Sequence, residues 1–114
     1  MASKLDEKVG KYIDDYKSKI GDDLDVDLLR KVTRGCGPTI YNRDSETVSG
    51  GDPQEMERVS KNFVMKKLGV DDEAKAKDAV DSALERYGKS NRTKYRAVFY
   101  YLIVKELGKE GVYK

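Results

Sequence analysis

Between residues 86 and 105 the chain carries Arg86, Lys89, Arg92, Lys94, Arg96 and Lys105 but no Asp or Glu, wrapped around the apolar run Ala97 to Val104. Cationic side chains gathered at a helix start, beside the free N–H groups of its first turn, bind phosphate. Lys89, Arg92, Lys94 and Arg96 are therefore the anion-binding candidates, suited to a nucleic acid or a phosphorylated ligand. The same cations would sit where the helix dipole is already positive, and Arg92 and Arg96, four residues apart, repel unless paired. The compensating anion is either an external phosphate or acids from elsewhere in the chain. At ~100° per residue Arg92 and Arg96 share one helix face while Lys94 and Lys105 lie roughly opposite, so the six bases do not form a single nucleic-acid stripe.

The second lead is the connection 35–52, longer than most loops in compact domains, and such loops are usually functional or disordered. Ile40, Tyr41 and Val48 can pin it to a core, as a long ordered loop between the second and third helices. Thr39, Tyr41, Asn42, Arg43 and Asp44 are then the candidates for contact with a ligand or a partner, with Ser45 beside them. The segment has glycines but no Gly-Lys-Ser/Thr of a phosphate-binding loop. Structural and ligand-contacting roles both remain open for it.

Other groupings do not support chemistry. The chain has no histidine, which removes Ser-His and Cys-His nucleophile pairs and every His-containing metal site. An enzyme would have to work with Asp, Glu, Lys, Tyr or the lone Cys36, and the reading leans against one. Asp22 to Asp27 resembles the start of a calcium loop, but Leu28 and Arg34 stand where its Gly and Glu are needed. Asp25 reads instead as a helix cap. Cys36, between Gly35 and Gly37 at a helix C-terminus, has the wrong end of the dipole to become a thiolate and reads as a small side chain in a turn. No catalytic residue, metal site or cofactor is expected.

Five helices would position these residues. The first, about 4–20, carries the stripe Leu5, Val9, Tyr12, Ile13, Tyr16 and Ile20 and ends at Gly21. The second, about 25–34, turns Leu28, Leu29 and Val32 inward. The third starts with Asp52 as cap, Pro53 in the first turn and Glu55 three residues after the cap. Its face is Met56, Val59, Phe63 and Leu68, before Gly69. The fourth runs from Asp71-Asp72-Glu73 to Gly88 and the fifth from Ser90-Asn91 to Leu107. In the fifth, apolar side chains point in every direction, which requires other helices around it. The run 97–104 also has strand-like residues, but only Thr39-Ile40-Tyr41 and Thr47-Val48 could pair with it. The expected fold is all-α: one domain, 1–114, a compact bundle of about five helices with the hydrophobic C-terminal helix at its centre.

At 114 residues, 38% of them apolar and 39% charged, the chain fits one small helical domain with a salt-bridge-rich surface. The net charge of +2 conceals an asymmetry: eight bases face two acids in residues 86–114, and seven face eleven in residues 36–85. Such a distribution either steers an anionic partner or neutralises itself on folding. One cysteine permits no internal disulfide, the first residues lack a signal-peptide core, and no apolar run nears the ~20 residues needed to span a bilayer. The expectation is a soluble cytoplasmic protein, away from membranes, with a protein partner or a second copy as its target and nucleic acid as the alternative.

Two stretches, Lys31-Val32-Thr33-Arg34-Gly35-Cys36-Gly37-Pro38-Thr39-Ile40-Tyr41-Asn42 and Ser90-Asn91-Arg92-Thr93-Lys94-Tyr95-Arg96-Ala97-Val98-Phe99-Tyr100-Tyr101-Leu102, together resemble a family of small uncharacterised bacterial proteins classed as a domain of unknown function. The likeness covers nearly the whole chain. It implies a bacterial cytoplasmic protein and brings no activity, substrate or catalytic residue with it.

Overall fold

The computed structural model describes residues 3–21, 23–88 and 93–113. Helix α1 (Lys4–Lys19) begins at a reciprocal cap: the Ser3 hydroxyl accepts from the Asp6 N–H while Asp6 accepts from the Ser3 N–H. Its Val9, Tyr12 and Tyr16 are buried, one turn apart. Helix α2 (Val26–Gly35) is capped by Asp25, whose carboxylate accepts from the Leu28 N–H at 3.1 Å. This cap is the role expected for Asp25. Helix α5 (Glu73–Tyr87) is capped in the same way by Asp72, and α6 (Arg96–Leu107) completes the bundle before a short 3-10 turn at Glu110–Tyr113.

The arrangement follows from α6. Ala97, Val98, Phe99, Tyr101, Leu102, Ile103 and Val104 are all buried, and together they go right round the helix. Helices α1, α2 and α5 pack against it, as does the single turn α3 (Arg43–Glu46). Gly108 ends α6 in the left-handed region at φ 65°, and the next N–H, of Lys109, returns to the Val104 carbonyl at 3.0 Å. The all-α bundle with its C-terminal helix enclosed is the fold the hydrophobic pattern predicts. No helix of the described residues is long and apolar enough to cross a membrane.

Three local features differ from the expectation. The segment read as one long loop winds into a 3-10 helix (Gly37–Tyr41) and then α3, with Ile40, Glu46 and Val48 buried. The third predicted helix begins as expected, with Asp52 accepting from the Gln54 N–H at 3.0 Å and Pro53 first in α4 (Pro53–Arg58). It then passes into a π-helix over Val59–Lys67. Leu68 N–H reaches the Phe63 carbonyl, five residues back, at 3.0 Å. This wider winding lets Phe63 stack on Tyr100, with centroids 3.8 Å apart and planes 12° from parallel, while Leu68 also stays buried.

The last helix starts at Arg96 rather than near Ser90-Asn91. The backbone before it is committed elsewhere: Tyr95 is extended and forms an isolated antiparallel bridge with Thr47, and the Lys94 carbonyl accepts from the Val48 N–H at 2.8 Å. A backbone that bonds across the chain cannot also close helical turns. Because α6 is enclosed on all sides, truncation in its middle has no surface to relax toward. Ile103→Ala is expected to cost about 2–5 kcal/mol in chemical denaturation, the usual range for opening a cavity in a packed core.

Candidate functional site

Of the two groups of residues singled out by type, 39–44 and the described part of 89–96 (residues 93–96) are brought to one junction. Besides the Thr47–Tyr95 bridge, Arg96 Nε donates to the Ser45 carbonyl at 2.8 Å. The other two Arg96 nitrogens reach Tyr100 Oη at 2.8 Å and Glu55 Oε1 at 3.1 Å. All three guanidinium nitrogens thus serve the fold. Glu55, placed by its spacing as a capping-box acid, is instead the ion-pair partner of Arg96 and Arg58. Lys94 is only 4% exposed, and burial, with the nearby Lys19 ammonium, lowers its pKa. Lys89 and Arg92 lie outside the described residues. The shared helix face expected for Arg92 and Arg96 also lies partly outside them; among the described residues α6 begins only at Arg96, after an extended Tyr95.

On the other side of the junction, Thr39 and Asn42 serve their own segment. The Thr39 hydroxyl donates to the Cys36 carbonyl at 2.9 Å, and the Asn42 side chain caps α3 by accepting from the Asp44 N–H at 3.0 Å. Ser45 turns inward too, its hydroxyl donating to the Thr39 carbonyl at 3.0 Å. Tyr41, Asn42, Arg43 and Asp44 are all exposed, with Tyr41 49% accessible. An aromatic ring and a guanidinium are thus presented to solvent on a segment whose own polar groups are satisfied locally.

This segment is held from beneath by a carboxylate the sequence reading did not single out. Glu46 Oε2 accepts from Lys8 Nζ at 2.9 Å, Lys11 Nζ at 3.3 Å and Tyr12 Oη at 2.7 Å. Burial works against its charge, but the hydrogen bonds from Lys8, Tyr12 and Lys11 outweigh it and hold the carboxyl below its usual value. Burial, aided by Glu46, keeps the Tyr12 phenol protonated well above its usual range. A parallel clasp holds the other strand of the junction. Tyr87 Oη donates to Asp15 and accepts from the Tyr95 N–H at 3.0 Å. Lys19 Nζ meets Asp15 Oδ1 at 2.7 Å and the Thr93 carbonyl at 2.8 Å. The pairings of Glu46 with Tyr12 and of Asp15 with Tyr87 gave no signal in sequence, because the partners lie more than thirty residues apart.

Cys36 is largely enclosed, and burial pushes its thiol up to about 12, against a smaller pull from Arg96. Thiol reagents are therefore expected to label it slowly at pH 8 in the folded protein and quickly in denaturant, as followed by mass spectrometry. Glu46→Gln tests the clasp under α3. A carboxyl whose folded pKa is depressed stabilises the fold above its unfolded value of 4.5, and the contribution is lost as pH falls through the lower folded value. Glu46→Gln is expected to cost about 1.5–3 kcal/mol at pH 7, the range for a hydrogen bond to a charged group. In urea titrations against pH, that deficit should shrink below pH 4.5.

A search of the curated proteins finds no match. The family model described as a protein of unknown function, DUF2853, matches residues 11–111, from the middle of α1 to the turn after α6. The chain therefore belongs to the DUF2853 family of proteins of unknown function.

Proposed function

We propose that the protein is a non-enzymatic interaction module whose contact surface is the exposed edge of the 37–46 segment. The observation that carries this reading is the exposed Tyr41, 49% accessible and next to Arg43 and Asp44, on backbone anchored by Ile40 and Glu46. Tyr and Arg dominate the energetic centres of protein interfaces because they combine contact area with directional hydrogen bonding. A surface already fixed in place loses little conformational freedom on binding, and that favours affinity. The partner is another protein or a second copy of this chain.

The alternative, a nucleic acid or phosphorylated ligand held by Lys89, Arg92, Lys94 and Arg96, draws less support. Arg96 directs every guanidinium nitrogen into the fold and Lys94 is nearly inaccessible. Light scattering coupled to size exclusion tests self-association. A pull-down from source cells, with and without nuclease, separates a protein partner from a nucleic acid. Tyr41→Ala and Arg43→Ala should each weaken recovery of the partner at least about tenfold. Each should leave the unfolding free energy within about 0.5 kcal/mol, as for other exposed positions. A strict monomer that recovers no protein, or full binding by both variants, overturns the reading.

A further inference from the structure

A second site, sharing no residue with the Tyr41 surface, lies where the start of α4 and the π-helix face α5. It is a cleft of about 450 Å³, walled at one end by Gly50 and Gly51, and so within the range of small-molecule sites. Its apolar lining includes Met56, Val80 and Leu84; Val80 and Leu84 are buried. Ser60 lines the same space from the first turn of the π-helix. It is 6% exposed, and among the described residues its hydroxyl has no hydrogen-bond partner. A buried hydroxyl without a protein partner is costly unless something in the cleft bonds to it, and natural folds rarely leave one without a use.

The charges around this interior are exposed, so they form its rim. Glu57 holds Lys61 at 2.8 Å, and Lys61 also feels Glu73. Asp81 has no ion pair among the described residues, although Lys77 stands one turn before it on α5. Carboxylates outnumber ammonium groups on the rim by Glu57, Glu73 and Asp81 to Lys61 and Lys77. Asp81 also lines the adjoining hollow beside Gly50, Gly51 and Lys94, so its carboxylate stands where the two spaces meet, and the buried Lys94 is a third cation on that side.

We propose that this cleft binds a small organic amine. Its apolar body lies on Met56, Val80 and Leu84, a hydroxyl or carbonyl at its far end meets Ser60 Oγ, and its ammonium group meets Asp81. What favours a cation over an anion of the same shape is Asp81 itself, the carboxylate without an ion pair among the described residues, while Glu57 is already held by Lys61 and Lys94 stands buried in the adjoining hollow. The approach of the wall is close as well: a Cβ on Gly50 would come within 2.8 Å of Leu84 Cδ2.

Tyramine is a suitable probe, with the hydroxyphenyl-propionate of similar length as its anionic counterpart. Amide shifts in a nitrogen–proton correlation spectrum of the full chain should move for Gly51, Ser60, Val80 and Asp81 with tyramine and stay in place with the acid. Asp81→Asn should weaken tyramine binding about two- to fivefold, and Ser60→Ala about two- to tenfold. Ser60→Ala has a second readout. Removing a hydroxyl that bonds to no protein group should leave the denaturation midpoint unchanged or raised, whereas loss of an internal hydrogen bond would lower it. A lowered midpoint, equal shifts with amine and acid, shifts confined to other residues, or none with millimolar tyramine would each overturn the proposal.

Discussion

Helix α6 cannot be left with a free face. Ala97, Val98, Phe99, Tyr101, Leu102, Ile103 and Val104 leave no polar stripe to turn toward water, so every other element is arranged by the need to cover it. At ~25 cal/mol per Å² of apolar surface, exposing even one side of such a helix would cost a sizeable part of a small domain's net stability. Helix α1 contributes Tyr12 and Tyr16, α2 contributes Leu28, Leu29 and Val32, and α5 contributes Ala79, Val80 and Ala83. The small alanines of α5 allow its backbone to lie close to α6, while the tyrosines of α1 fill the wider gap. Tyr16 meets Tyr101 edge to face, with centroids 5.5 Å apart.

Covering α6 with tyrosines has an electrostatic consequence. Each buried phenol needs a partner for its hydroxyl, and Tyr12 and Tyr87 find theirs in Glu46 and Asp15. Those carboxylates then need cations, which Lys8, Lys11 and Lys19 supply from α1. One element thus provides most of the charge balance for the junction between residues 42–48 and 93–96. The charge asymmetry along the chain is partly resolved in the same way, with Glu55 of the acidic middle meeting Arg96 of the basic end. The charges involved come from distant parts of the chain, so net charge per segment says little about the surface a partner meets.

What could be read from order of residues alone was whatever depends on near neighbours. Asp25, Asp52 and Asp72 cap helices as their positions dictate, because a cap is settled within three residues. The enclosed last helix was legible because its apolar residues leave no other arrangement. Its start was not, since the competitor for its first turn, Thr47-Val48, lies far away in the chain. For the same reason the spacing of Lys89, Arg92, Lys94 and Arg96 could not reveal that Arg96 is committed to Ser45, Glu55 and Tyr100. Among the contact candidates, residue type did not separate Tyr41, Arg43 and Asp44, whose side chains are exposed and close no turn, from Thr39 and Asn42, whose short polar side chains bond to their own backbone even though Asn42 is exposed. The cleft beside Ser60 gave no sequence signal, because nothing about a serine among Val59 and Lys61 tells whether its hydroxyl has a partner.

The step from Phe63 to Leu68 did carry a trace of what happens there. In an α-helix, residues five apart are about 140° away from each other at ~100° per residue, so the two could not both face the core. The π winding restores their alignment, at the expense of a backbone geometry that proteins seldom sustain beyond one turn. The segment behaves as though it held one residue more than an α-helix needs to reach from Phe63 to Leu68. Chain length in this stretch is consequently not rigidly set on its exposed side: losing Lys66 or Lys67 would let the helix rewind as α with Phe63, the fully buried Val64 and Leu68 still seated. What such a shortening would move is the solvent face between them, where the remaining lysine would swing to a new bearing.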